Sequence, residues 1–148
     1  REPGRVLLFD QDHTEMTYAL AELLCDRFSA VSIVTPRERL ASDVSLINRQ
    51  GIYQRLYSKG VDIHLSQQLQ DLNALEEAAV ELVNVYNGRV SRVEEVVAVC
   101  YSTSRAPNDE LLGALRTSGL DVISVGDCRA PRSVLAATRE GYEVGTAI

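Results

Sequence analysis

Residues 5–9, RVLLF, put an unbroken apolar run behind one arginine, the pattern of a strand buried on both faces of a parallel sheet. A polar turn follows over 10–16. From Thr17 to Arg27 the period changes: Ala19, Leu20, Leu23 and Leu24 recur at helical spacing, and Ala21 widens the stripe. AVSIVTP (30–36) predicts a second strand stopped by Pro36. Strand, tight turn, helix and strand within about 30 residues make a βαβ unit. Ser42 is positioned to cap a helix running to Lys59, with Leu46, Ile47, Leu56 and Tyr57 as its apolar stripe and Gly60 as its terminator. VDIHL (61–65) alternates and predicts a third strand, with His64 turned to solvent.

The middle of the chain changes character. QLQDLNAL, AAVELVNVYNGRV and SRVEEVVAVCY read as successive strands, and Asn87-Gly88 is a two-residue hairpin signal. VVAVCY (96–101) is a second wholly apolar run. Asn108 then predicts the cap of a helix over 109–117, LDVISVGD (120–127) a last strand, and 132–147 a final helix. In that helix Val134, Leu135 and Thr138 are expected to face inward, with Gly141 and Gly145 allowing close packing. The pattern gives one α/β body: a Rossmann-like three-layer parallel sheet with a small antiparallel β insert.

Composition narrows the function classes. The 148 residues are 45% apolar and 24% charged, enough for one sizeable core. A net charge of −6 argues against nucleic acid, whose backbone needs a basic face. No apolar run approaches the roughly 20 residues that span a bilayer, and no leader with a small-residue cleavage site is visible. Cys25, Cys100 and Cys128 are far apart and form no C-x-x-C, which favours a reduced, cytoplasmic protein over a disulfide framework or zinc site. A chain opening on Arg1 reads as a piece of a longer protein.

The first strand–turn–helix, VLLFDQDHTEMTYALAELL (6–24), is where a dinucleotide-binding domain carries its glycine-rich phosphate seat. Here there is no glycine between Arg5 and Gln50, and Asp10, Asp12 and Glu15 stand in or beside the turn. Asp12 is expected to cap the helix with its own carboxylate, in the place an anion would take; phosphate binding by Asp12, His13 and Thr14 backbone is the alternative. His13, in the turn, is the better functional candidate of the two histidines. Neither has the neighbours of a metal site. Past the second strand, Thr35, Arg37 and Arg39 stand where a carboxylate would grip an adenosine ribose, and the arginines favour a phosphorylated ligand; a solvated loop is the bland reading. Tyr18, Tyr53 and Tyr57 are expected to pack.

The most specific stretch is ISVGDCRAPRSVLAATREGYEVGTAI (123–148). A strand ending in Gly126-Asp127, then a proline turn and a small-residue helix, resembles the closing segment of two-dinucleotide-binding flavoproteins. With the opening stretch and Pro107-Asn108-Asp109-Glu110-Leu111, it is similar to the C-terminal region of Old Yellow Enzyme-related NADH:flavin oxidoreductases, among them trimethylamine dehydrogenase-, histamine dehydrogenase- and 2,4-dienoyl-CoA reductase-like enzymes. The resemblance implies a parent protein with an FMN-binding barrel and a 4Fe-4S cluster outside this chain. It further implies an NAD(P)-type inserted domain over 5–105 and a terminal flavin-domain segment over 106–148. FAD or an adenine nucleotide (ADP, NADH or NADPH) is the implied cofactor, with Gly126, Asp127, Pro131 and Arg132 near a flavin dinucleotide's ribityl or pyrophosphate part. In STSRA (102–106), Thr103 and Arg105 match the family's Thr-Gly-Arg turn and its glycine is missing, which weakens the case for NADH binding.

Two functions follow. One is a nucleotide-binding module of a flavin-dependent oxidoreductase, with a degenerate phosphate loop and no complete active site in this chain. The other is a structural or subunit-interaction domain that binds nothing, its partners being the barrel and flavin domain of the parent polypeptide or a further copy of the chain. A receiver or flavodoxin-type protein fits less well: Lys59 is the only lysine, and the first turn lacks a Ser/Thr/Gly phosphate loop.

Overall fold

The computed structural model describes residues 1–147. The chain divides into two compact units, Arg1–Ser104 and a second from Arg105 onward.

In the first unit a four-stranded parallel sheet is ordered β3-β2-β1-β7, formed by β1 (Glu2–Asp10), β2 (Phe28–Val34), β3 (Asp62–His64) and β7 (Val96–Ser102). Strand β1 is central because its residues are apolar on both faces. Val6 and Leu8 enter one core with Tyr18, Ala21, Leu24 and Cys25 of α1 (Glu15–Arg27) and Ile52 and Leu56 of α2 (Leu46–Ser58). Leu7 and Phe9 enter a second core with Val80, Leu82 and Val93. The latter three belong to an antiparallel sheet, β4 (Gln67–Asp71), β5 (Ala79–Asn84) and β6 (Val90–Glu94), which covers the second face. The three layers are therefore helices, parallel sheet and antiparallel sheet, with the insert as a full layer. Each fully buried Leu or Val in these cores contributes about 1.5–3 kcal/mol.

The helices differ from the expected stripes by about one position. In α1 the buried residues are Thr17, Tyr18, Ala21, Leu24 and Cys25, while Leu23 is half exposed. In α2, capped by Ser45 and not Ser42, Ile52 and Leu56 are buried, whereas Leu46, Ile47 and Tyr57 point outward. The expected hairpin at Asn87-Gly88 is a longer connection over 85–89. The Asn84 side chain accepts the Tyr86 and Asn87 amides there, at 3.0 and 3.2 Å, and draws the turn forward. Residues 73–77, inside an expected strand, form a 3-10 turn closed by Ala78 in the left-handed region.

The second unit contains α3 (Glu110–Thr117), a 3-10 turn over Gly126–Cys128 and α4 (Val134–Ala147). The expected strand over 120–127 is not formed, since none of the described strands pairs with that segment. Asp109, not Asn108, precedes α3. Val134, Leu135 and Thr138 are exposed instead of inward, and a Cβ at Gly141 or Gly145 would meet nothing within 4 Å among the described residues.

Candidate functional site

From β1 the chain builds outward through β2 to β3, then crosses back to place β7 on the other side of β1. The strand order reverses at β1, so the crevice lies at the carboxyl ends of β1 and β7, the usual ligand position in such sheets. Asp10 and Ser102 end these two strands as a register pair. The Gln11 amide donates to the Ser102 carbonyl at 2.8 Å, and the hydroxyls of Thr17 and Ser102 lie 2.5 Å apart.

Asp10 is fully buried at the base of this crevice. Its Oδ1 accepts the His13 amide at 2.9 Å and its Oδ2 accepts the Tyr18 hydroxyl at 2.7 Å. The Tyr18 oxygen in turn accepts the Ala41 amide at 2.5 Å, tying the turn to the loop after β2. Burial and the Asp10 carboxylate push the Tyr18 pKa far up, so the phenol keeps its proton. His13 is 1% exposed and sits at φ +57, a left-handed conformation unfavourable for a side chain with a Cβ. Its Nδ1 lies 3.3 Å from Asp10 Oδ2 without hydrogen-bond geometry, and has no other partner. Desolvation lowers the His13 pKa, reinforced by Arg37 and opposed by Asp10, Asp43 and Asp12. The imidazole is therefore neutral near pH 7.

The helix cap differs from expectation. Thr14, not Asp12, is the N-cap of α1, and no side chain caps the helix. The Thr14 hydroxyl instead donates to the Asp12 carboxylate in a short hydrogen bond within the turn. Asp12 lies before the helix begins, too early for its oxygens to serve as the cap. Glu15 points to α2, accepting from Asn48 at 2.9 Å.

At the end of β2, Thr35 is buried, its amide on the His64 carbonyl and its carbonyl accepting from Gln67. Its hydroxyl accepts the Arg37 amide at 3.3 Å. Arg37 is exposed, 3.8 Å from Asp43. The structure thus brings Asp12, His13, Thr14 and Arg37 to one end of the sheet, with Thr35 beneath. His64 is half-buried, not turned to solvent: its Nε2 is enclosed without a partner, and burial lowers its pKa.

The second unit carries the other candidates. Gly126 is buried at φ +62, and a Cβ there would meet Ala137 Cβ at 3.2 Å. Asp127 is exposed, and Pro131 is half-buried just before α4. Arg132 is committed elsewhere: with Arg129 it binds the buried Glu140. A groove of about 470 Å³ runs past Arg129, Arg132, Ser133, Arg139, Glu140 and Glu143. Asp10, Tyr18 and Glu140 were absent from the candidates. Tyr18 is masked by its place in an apolar stripe, and Glu140 by lying in a polar run, although two arginines stand 8 and 11 residues before it.

Among the described residues, no cluster of His, Cys, Asp and Glu is arranged to hold a metal, and no helix is long and apolar enough to cross a membrane. A parallel sheet with this strand order, a β1–α1 turn at its switch point and an antiparallel sheet as third layer defines a Rossmann-like domain. No protein-family model and no curated protein matches the chain. Solved structures do. An amine oxidase acting on 6-hydroxypseudooxynicotine from Pseudomonas geniculata N1 superposes on 98% of the chain with a TM-score of 0.81 at 22% identity. Histamine dehydrogenase from Rhizobium sp. 4-9 covers 95% with a TM-score of 0.78 at 27% identity. A 2-naphthoyl-CoA reductase covers 98% with a TM-score of 0.76 at 20% identity. The chain spans only 21 to 22% of the length of these proteins. It has the fold of the C-terminal nucleotide-binding region of Old Yellow Enzyme-related NADH:flavin oxidoreductases, as the sequence motifs suggested.

Proposed function

We propose that the chain is an FAD/NAD(P)-type nucleotide-binding module of a flavin-dependent NADH:flavin oxidoreductase or amine dehydrogenase, in which the β1–α1 turn has lost its phosphate cradle. Residues 5–105 are the NAD(P)-type inserted domain and 106–148 the closing segment of the flavin domain. The FMN barrel and 4Fe-4S cluster belong to the parent polypeptide outside this chain. One observation carries the loss: the His13 amide, which should face an anion, donates to the buried Asp10 carboxylate. Asp12, hydrogen-bonded by the Thr14 hydroxyl within the same turn, sets like charge against an NAD(P) pyrophosphate there. Two like charges about 4 Å apart cost about 4 kcal/mol at a surface-like dielectric. That exceeds the roughly 0.3–1 kcal/mol offered by a helix N-terminus.

The Gly126–Asp127 turn, by contrast, fits a hydroxyl-bearing ligand, with Asp127 exposed and open to donors. A flavin held there would supply hydride and electron transfer to the parent enzyme. An adenine nucleotide bound to the first unit would rest its phosphate on Arg37, just after β2, and not on the amides of the turn.

Thermal-shift titration with ADP, NADH and NADPH tests the first unit. Stabilisation by ADP should follow RT ln(1 + [L]/Kd) and disappear in Arg37→Ala. Absence of any shift at millimolar nucleotide leaves the second reading, a structural or subunit-interaction domain that binds no nucleotide, and the closed Asp10–His13–Tyr18 cluster favours the loss of binding. FAD is titrated on the full polypeptide, since this chain carries only the closing part of that site.

A further inference from the structure

Glu140 is the one charged side chain among the described residues of the second unit that is buried. Its Oε2 accepts the Gly126 amide at 2.8 Å. Its Oε1 accepts from Arg129 Nη1 at 3.4 Å and, in a short contact, from Arg132 Nη2. The Arg132 hydrogen bond, then the Gly126 amide, hold the carboxyl below its ordinary range. Helix α4 presents Ala137 and Glu140, three residues apart and so on one face, to the turn. A Cβ at residue 126 would crowd Ala137 at 3.2 Å on a backbone of φ +62 that favours glycine, and Glu140 anchors that glycine's N–H.

The other side of the same peptide is fixed as well: the Gly126 carbonyl accepts the amides of Arg129 and Ala130, each at 3.0 Å. The residue before Asp127 is thus held at both its amide and its carbonyl. Asp127 itself is exposed.

We propose that Glu140 is a positioning residue for Asp127: by clamping the Gly126 amide from α4, it sets the direction in which the Asp127 carboxylate meets ligand hydroxyls. This rests on the reading of Gly126–Asp127 as the flavin-facing turn. Arg132 then serves Glu140 and not the ligand. The ligand class is a polyol-bearing dinucleotide, whose hydroxyls donate to an acceptor held at a fixed angle.

The test uses the full polypeptide carrying this chain, loaded with FAD, and measures the FAD dissociation constant after flavin removal. Asp127→Ala is expected to weaken FAD by about ten- to a hundredfold, the range of a hydrogen bond to a charged group. Glu140→Ala should weaken it by a similar factor, and Glu140→Gln, which keeps an oxygen for the Gly126 amide, should recover most of the loss. In the Asp127→Ala background, Glu140→Ala should add nothing, because both act through one carboxylate. Should Glu140→Ala not fold, Glu140→Asp, which keeps the charge and withdraws the oxygen by one methylene, takes its place with the same expectation of non-additivity. Fully additive losses, or full affinity without Glu140, overturn the positioning role and leave the flavin reading intact. Full affinity in Asp127→Ala overturns the flavin reading itself, and the inference with it.

Discussion

At the scale of single residues, the closed turn depends on Tyr18 as much as on Asp10. Tyr18→Phe keeps the packing but strips a partner from Asp10 Oδ2 and from the Ala41 amide, both buried. The expected loss is about 2–6 kcal/mol in urea unfolding, from two unsatisfied groups at about 1–3 kcal/mol each. The histidines set a pH dependence. Burial lowers the pKa of both His13 and His64 from 6.5, so the folded state favours their neutral forms. Their contribution is complete above pH 6.5 and is lost as the pH falls toward the lowered folded values. Melting temperature should therefore decline as the pH falls below 6.5, with His13 contributing a slope of at most about 1.4 kcal/mol per pH unit. A His13→Gln/His64→Gln protein should show a flatter profile. Glu140 acts at lower pH: its carboxyl is held below 4.5, so its contribution survives until stronger acid.

At the scale of elements, the antiparallel sheet forms one wall of the core. Leu82→Ala in β5, at a site with 0% exposure, should cost about 2–5 kcal/mol. Leu23→Ala in α1, at 49% exposure, should stay near 0.5 kcal/mol, and chemical denaturation of the pair separates them. Leu23 also shows what the sequence could and could not convey. The run Val6–Phe9 announced a doubly covered central strand, because continuous apolarity has few other uses. The helical stripe of α1 was legible in period but not in phase. Tyr18 and Thr17 carry polar atoms, and their inward orientation follows from Asp10 and Ser102, partners 8 and 85 residues away. The same holds for the cap, since Thr14 and Asp12 bond to each other. LDVISV (120–125) has strand composition, yet a strand exists only where a neighbour supplies its hydrogen bonds.

At the scale of the whole molecule, the two units differ in how much they bury. Both apolar cores are built from residues of Arg1–Ser104. Beyond it, Gly126 and Glu140 are the buried residues among those described, while Leu111, Leu120, Ile123, Val134, Leu135 and Tyr142 are exposed. A chain ending at Ser104 should accordingly keep a single cooperative unfolding transition, and limited proteolysis of the intact chain should cut within 105–147 first. The left-handed His13 leaves the turn no inexpensive way to open. Replacing it with glycine relieves the backbone but empties a buried imidazole's volume. Replacing Asp10 with glycine strands the Tyr18 hydroxyl and the His13 amide. Either single change therefore yields a weaker protein.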